Sequence, residues 1–239
     1  MAVNRDAKNV KFCFAVLGGL NQSLENQIHG LGVTPINIHK IPFVEAGTRQ
    51  EWIQWKVRTG ALQPGIGIGA GAAGCAIGHI EAWKTLEDCE HDFLIVLEDD
   101  AQFTKYGERH FKFLIDRLSH SRLRLIHLGD HVKFNTQHLF FCLVKLQIRE
   151  IVRLIVERKI LVFFRPKFAL NQFPFSGHAY VIDRETAKIA LSEGYSFLFP
   201  IDVFLNSISQ VPRNLTARIR TPLIVQSNYR ESQIKIRGR

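Results

Sequence analysis

The stretch Asp92 to Phe103, D-F-L-I-V-L-E-D-D-A-Q-F, constrains this chain more than any other. Phe93 to Leu97 is an unbroken apolar run rich in branched side chains, the pattern of a strand buried on both faces of a parallel sheet. It stops abruptly at Glu98-Asp99-Asp100. Adjacent carboxylates repel one another, and each costs several kcal/mol to take out of water unless it is paired. A buried strand ending in three acids therefore points to a sheet edge where a cation, a hydroxylated ligand or both balance the charge. Hard oxygen donors in a tight cluster suit Mg²⁺ or Mn²⁺, and either ion can hold a diphosphate. The same acids would equally serve as caps for the next helix or as a solvated turn.

The rest of the chain supplies an α/β order around that strand. Lys11 to Leu17 reads as a first strand, Gly18-Gly19 as a turn, Asn21 to His29 as a helix and Thr34 to Ile41 as a second strand. Glu51 to Val57, with Trp52 and Trp55, has the spacing of a short amphipathic helix. A Gly-rich loop then feeds a helix from about Gly74 to Glu90. Glu108 to Leu118 predicts a helix, and Leu123 to Leu128 a strand ending at Gly129-Asp130-His131, a second strand terminus with a carboxylate. Lys145, Arg149 and Arg153 recur on one side of a basic amphipathic segment at about 139–165, with the spacing of a docked surface helix or a membrane-surface anchor. A strand from Ser176 to Ile182 precedes a helix from Arg184 to Glu193 that stops at Gly194. Pro200-Ile201-Asp202 opens a further helix, where Asp202 is either an N-terminal capping acid or a catalytic one.

At 239 residues, 46% apolar and 22% charged, the chain can bury a full core and lies outside the disordered class, so a single domain over 1–239 with a basic C-terminal tail is expected. The net charge of +9 attracts phosphorylated substrates or anionic lipid headgroups. No zinc-finger spacing, RNA-binding aromatic signature or long basic run accompanies it, so nucleic acid is not the expected partner. Met1 to Lys11 is polar and the apolar run after it is short, so no signal peptide is expected and the cytoplasm is the expected compartment. The four cysteines lack C-x-x-C pairing, which suits reduced thiols rather than zinc ligands.

Gly69-Ala70-Gly71-Ala72-Ala73-Gly74 spells G-x-G-x-x-G, and Glu98 follows Gly74 by 24 residues, as a ribose-binding acid would in an NAD-binding oxidoreductase. That fingerprint must follow a strand, whereas Leu62-Gln63-Pro64-Gly65 reads as a turn.

Four segments in order carry a more specific resemblance: Gly74-Cys75-Ala76-Ile77-Gly78-His79-Ile80-Glu81-Ala82-Trp83, Leu97-Glu98-Asp99-Asp100, Gly177-His178-Ala179-Tyr180 and Pro200-Ile201-Asp202. Together they resemble glycosyltransferase family 25, the lipooligosaccharide glycosyltransferases, whose C-terminal P-x-x-x-Q pattern is similar to Pro222 to Gln226. The resemblance implies a GT-A-like nucleotide-sugar-binding fold with a mostly parallel sheet flanked by helices. It also implies a UDP-galactose or UDP-glucose donor, an oligosaccharide or glycolipid acceptor, Mn²⁺ or Mg²⁺, and inversion at the anomeric carbon. In that scheme Asp100 and Asp99 hold the metal, Glu98 and Asp99 approach the ribose, and His79 and His178 contact metal or diphosphate or are buried, hydrogen-bonded residues. Asp202, then Asp130, is the candidate general base. Two departures stand out: Leu17-Gly18-Gly19-Leu20-Asn21-Gln22 lacks the family's nearby Arg, and Gly78 replaces the Ser before His79. A non-catalytic saccharide-binding relative is the alternative that these departures leave.

Overall fold

The computed structural model describes residues 10–33, 37–42, 70–129, 168–170, 177–194, 201–209, 215–219 and 222–226. In chain order the elements are β1 (Phe12–Leu17), α1 (Gln22–Gly30), β2 (Ile38–Ile41), α2 (Ala70–Asp88), β3 (Phe93–Glu98), β4 (Ala101–Phe103) and α3 (Lys105–His120). They continue with β5 (Leu123–His127), β6 (Phe168–Leu170), β7 (Ala179–Asp183), α4 (Arg184–Gly194), α5 (Ile201–Ser209), β8 (Leu215–Ile219) and β9 (Ile224–Gln226).

Seven strands form one sheet in the order β2-β1-β3-β7-β5-β8-β6, and β4 pairs with β9 in a separate ribbon. Five of the seven run one way; β7 and β6 run against them. The fold is thus α/β with a mostly parallel sheet, and the acid-tipped strand β3 stands inside it between parallel β1 and antiparallel β7. Successive side chains on a strand alternate faces. Phe93, Ile95 and Leu97 accordingly pack with Leu24 and Ile28 of α1 and Phe111 of α3, while Leu94 and Val96 pack with Trp83 of α2 and Leu205 of α5. Phe93 to Leu97 are all buried to 1% exposure or less. Five such side chains contribute on the order of 10 kcal/mol, enough to hold acids at the strand's end.

Helix α2 starts at Ala70, a turn earlier than Gly74. Ala70, Ala72, Ala73 and Ala76 are the strongest helix formers and offset the cost of Gly71 and Gly74. The last five residues of the G-x-G-x-x-G spelling are consequently helical, not the strand-to-helix turn that cradles a dinucleotide. Helix α3 also starts early, because Thr104 caps it by accepting from the Gly107 N–H at 2.8 Å. The segments expected at 51–57 and 139–165, the basic tail, and Asp130 lie outside the described residues. Among the described residues no helix is long and apolar enough to cross a membrane.

Candidate active site

At the carboxyl edge of the sheet β1 ends in Gly18-Gly19 and β3 in Glu98, and a turn at Asp99-Asp100 leads into β4. Gly18 has φ +85°, and a Cβ on it would lie 3.0 Å from Asp99 Cγ. Only glycine fits such a left-handed position with a carboxylate against it. Asn21 fixes the turn from the same side. Its Oδ1 accepts from Leu24 N at 2.8 Å, capping α1, and its Nδ2 donates to the Asp99 carbonyl at 3.0 Å. From the other side, pairing of Ala101 with Gln226 in the β4–β9 ribbon brings Gln226 Nε2 to 3.5 Å from Glu98 Oε2.

Strand alternation turns Glu98 toward α2. There Cys75 Sγ lies 3.8 Å and His79 Nε2 3.9 Å from Glu98 Oε1. The His79 ring is fully buried, stacked on Tyr180 with centroids 5.6 Å apart. Its Nδ1 shares a 2.7 Å hydrogen bond with the Tyr180 hydroxyl, to which Trp83 Nε1–H donates at 2.9 Å. The spacing of His79 and Trp83 on one helix, facing Tyr180 on β7, makes this chain of bonds possible.

The acids divide electrostatically. Burial pushes Glu98 up, but the imidazoles of His79 and His178 and the Cys75 thiol outweigh it and hold the carboxyl below its ordinary value. Burial and then the Glu98 charge raise Asp99. Asp100 is pushed up to about 6 by burial, then by Glu98 and Asp99. Burial and the Glu98 charge raise the Cys75 thiol well above its usual range, with a smaller push from Asp202. Asp202 therefore belongs to the same edge. Its Oδ1 accepts from Val203 N at 2.8 Å in the first turn of α5, so it serves the helix terminus as the sequence allowed.

His178 is buried at 1% exposure, and its carbonyl accepts from Glu98 N at 2.9 Å. Its ring lies edge-on to His127 at 5.5 Å and against Gly129, where a Cβ would fall 1.9 Å from Nε2. The fold thus brings Glu98, Asp99, Asp100, His79 and His178 to one edge with Asp202 nearby, and Asp130 lies outside the described residues. Both histidines are interior groups: His79 is hydrogen-bonded through Nδ1 to Tyr180, while its Nε2 faces Glu98. The structure adds Asn21 and His127 to this edge. Asn21 carried a signal in its place just ahead of a helix, as a cap; His127 sits mid-pattern in an apolar strand and carried none.

An edge of this kind offers an exposed acid, Asp99, beside a partly buried one, Asp100, whose mutual charge a divalent cation would relieve, next to a helix-borne cluster of Cys75 and His79 on Glu98. The family model described as glycosyltransferase family 25 (LPS biosynthesis protein) matches residues 47–205, a span that contains α2, the acid turn, His178 and Asp202. No curated protein matches the chain.

Proposed function

Because the chain belongs to glycosyltransferase family 25, the LPS biosynthesis family, and is thereby a glycosyltransferase, we propose that it moves galactose or glucose from a UDP-sugar to an acceptor hydroxyl with inversion, on a GT-A-like fold. The acceptor is an oligosaccharide or glycolipid of the LPS pathway, met in the cytoplasm or at an anionic membrane face to which the net charge of +9 draws the protein. The supporting observation is the convergence of Glu98, Asp99 and Asp100 with Gly18, Asn21 and Gln226 at the end of the buried strand.

Asp99 and Asp100 fit a Mn²⁺ or Mg²⁺ ion: both are hard oxygen donors, and a dication offsets the neighbouring negative charge that, after burial, raises them. Such an ion supplies neutralisation of the charge that develops on the diphosphate. Glu98, already anionic in its pairing with His79 and Cys75, is left for the ribose hydroxyls. Asp202 is the proposed base. It takes the proton of the acceptor hydroxyl as that oxygen forms its bond to C1 of the sugar, while the bond from C1 to the diphosphate oxygen breaks and UDP departs. Asp130 is the second choice for this role.

A panel of sugar nucleotides with Mn²⁺, read by release of UDP, tests the proposal. One UDP-hexose should be turned over, and Asp100→Asn should lower the rate at least a hundredfold. Unchanged turnover and unchanged Mn²⁺ dependence in Asp100→Asn would remove the acid turn from the mechanism.

A further inference from the structure

We infer that Cys75, His79 and Glu98 form a second cation site, distinct from the Asp99-Asp100 pair, whose donor set selects Zn²⁺. The site goes beyond the transferase proposal and stands without it; only the antagonism with a UDP-sugar rests on that proposal. Cys75 and His79 are four residues apart on α2, so they share one helix face, and Glu98 meets them from the end of β3. The three donor atoms lie within 4.8 Å of one another, with 3.8 Å from Cys75 Sγ and 3.9 Å from His79 Nε2 to the same Glu98 oxygen. A triangle with sides of 3.8, 3.9 and at most 4.8 Å has a circumscribed radius of about 2.5 Å. Zinc bonds run about 2.3 Å to sulfur and about 2.0–2.2 Å to nitrogen and oxygen, so side-chain shifts of a few tenths of an ångström close the site.

The His79 ring supplies an independent pointer. It is 0% exposed, and its Nε2 has no hydrogen-bond partner among the described residues although it faces the carboxylate. Its other nitrogen is held by Tyr180, which in turn receives Trp83 Nε1–H. Metal-binding histidines are oriented in this way, by an outer partner on the nitrogen that does not bind. With a cation on Nε2, Nδ1 donates to the Tyr180 oxygen, whose two lone pairs accept from both His79 and Trp83.

Chemistry decides the ion. One thiolate, one imidazole and one carboxylate suit Zn²⁺ and disfavour Mg²⁺ or Mn²⁺, which prefer oxygen alone. The thiolate and carboxylate carry two negative charges, so a dication leaves a buried cluster neutral. Glu98 is 26% exposed along its side chain and Cys75 is partly exposed, which gives the ion a route in and leaves a fourth position open to solvent. An ion there takes Glu98 out of the nucleotide subsite, so Zn²⁺ is expected to antagonise a UDP-sugar.

Cobalt reports the site directly. The metal-stripped full chain titrated with Co²⁺ should bind one equivalent at this cluster, with a thiolate-to-cobalt charge-transfer band and the intense visible bands of a four-coordinate ion. Zn²⁺ should bleach both and Mn²⁺ neither. Cys75→Ser should abolish the charge-transfer band, and Glu98→Gln should weaken Co²⁺ binding at least tenfold. Cys89→Ser should leave the band intact, which separates this site from the Cys13, Cys89 and His91 cluster at the other end of α2. Absence of the band in the wild type, or its survival in Cys75→Ser, overturns the inference. If Cys75→Ser does not fold, undiminished binding by Glu98→Gln does so. UDP release with Mn²⁺ is scored separately: turnover without a cobalt band sinks the zinc site alone, and a cobalt band without turnover sinks the transferase proposal alone.

Discussion

Replacing Tyr180 by Phe removes one oxygen from a residue that is 0% exposed, and it opens two hydrogen bonds at once. Trp83 Nε1–H loses its 2.9 Å acceptor and His79 Nδ1 its 2.7 Å partner, both inside the layer between α2 and β7. The ring remains, so the stack on His79 and the packing against β3 and β5 are retained. A buried polar group that loses its partner costs about 1–3 kcal/mol, more than the bond itself contributes in net terms. Two such groups should cost roughly 2–4 kcal/mol together, the lower end applying if one ring shifts to recover a contact. For a chain of this length about 1 kcal/mol moves the midpoint by roughly 2–4 °C, so thermal unfolding should fall by roughly 5–15 °C. Urea unfolding followed by tryptophan fluorescence gives the free energy, with Tyr106→Phe on α3 as the reference substitution, expected within about 0.5 kcal/mol of the parent. A Tyr180→Phe cost no larger than the reference would mean that Trp83, Tyr180 and His79 do not share a buried network, and the orientation of His79 toward Glu98 would lose its support.

A Cβ at Gly107 would fall 2.0 Å from the Leu223 carbonyl oxygen, which is backbone and cannot swing aside. Gly107→Ala should therefore cost roughly 2–3 kcal/mol or more, and hydrogen exchange at Ala101 to Phe103 should accelerate as the β4–β9 ribbon that carries Gln226 is pushed away. The raised acids predict a pH dependence in the metal-free protein. A carboxyl held at about 6, against an ordinary 3.8, binds its proton more tightly folded than unfolded, so Asp100 makes stability fall as pH rises from about 4 to 6 and flat above that. The fall should be roughly 1–3 kcal/mol after allowance for solvent screening, and chelator-treated Asp100→Asn should lack it. An unchanged slope in that variant would assign the effect to other groups.

The central strand was legible because burial on both faces leaves an unmistakable apolar run, and its acids were legible because charge at such a terminus has few uses. The Asn21 to His29 helix was legible for a similar reason, as a polar cap precedes spaced Leu24 and Ile28. The start of α2 was not. Gly69 and Gly71 read as loop residues ahead of a helix at about Gly74, and the alanines at 70, 72 and 73, which carry no apolar periodicity, keep the segment helical from Ala70. Strand β6 is three residues long, too short to show alternation, and β8, with Thr216 and Arg218 between apolar neighbours, has only a short pattern. The direction of β7 could not be read locally at all, since a buried apolar strand looks the same whether its partners run with it or against it. The pairing of Cys75 and His79 with Glu98 was partly visible: four-residue spacing fixes the first two on one face, but their meeting with Glu98 depends on how α2 lies across β3.

That crossing explains why three consecutive acids are not equivalent. Alternation along β3 sends Glu98 to the α2 face, where His79 and Cys75 meet one of its oxygens and Gln226 the other. The chain then turns, and Asp99 and Asp100 stay at the rim, against Gly18 and beside the β4–β9 ribbon, with the Glu98 charge added to their own burial. Neighbouring carboxyls are thereby pushed in opposite directions: Glu98 is anionic well below neutrality, while Asp100 reaches full ionisation only near it. Environments that separate pKa values in this way also separate roles. The acids whose ionisation is opposed by burial and by a neighbouring charge are the ones that gain most from a hard cation, whereas the acid already ionised can serve a hydroxyl or, with Cys75 and His79, a softer ion. Deleting one residue within β3 would exchange the faces, setting Asp99 beside His79 and sending the longer Glu98 side chain to the α1 face.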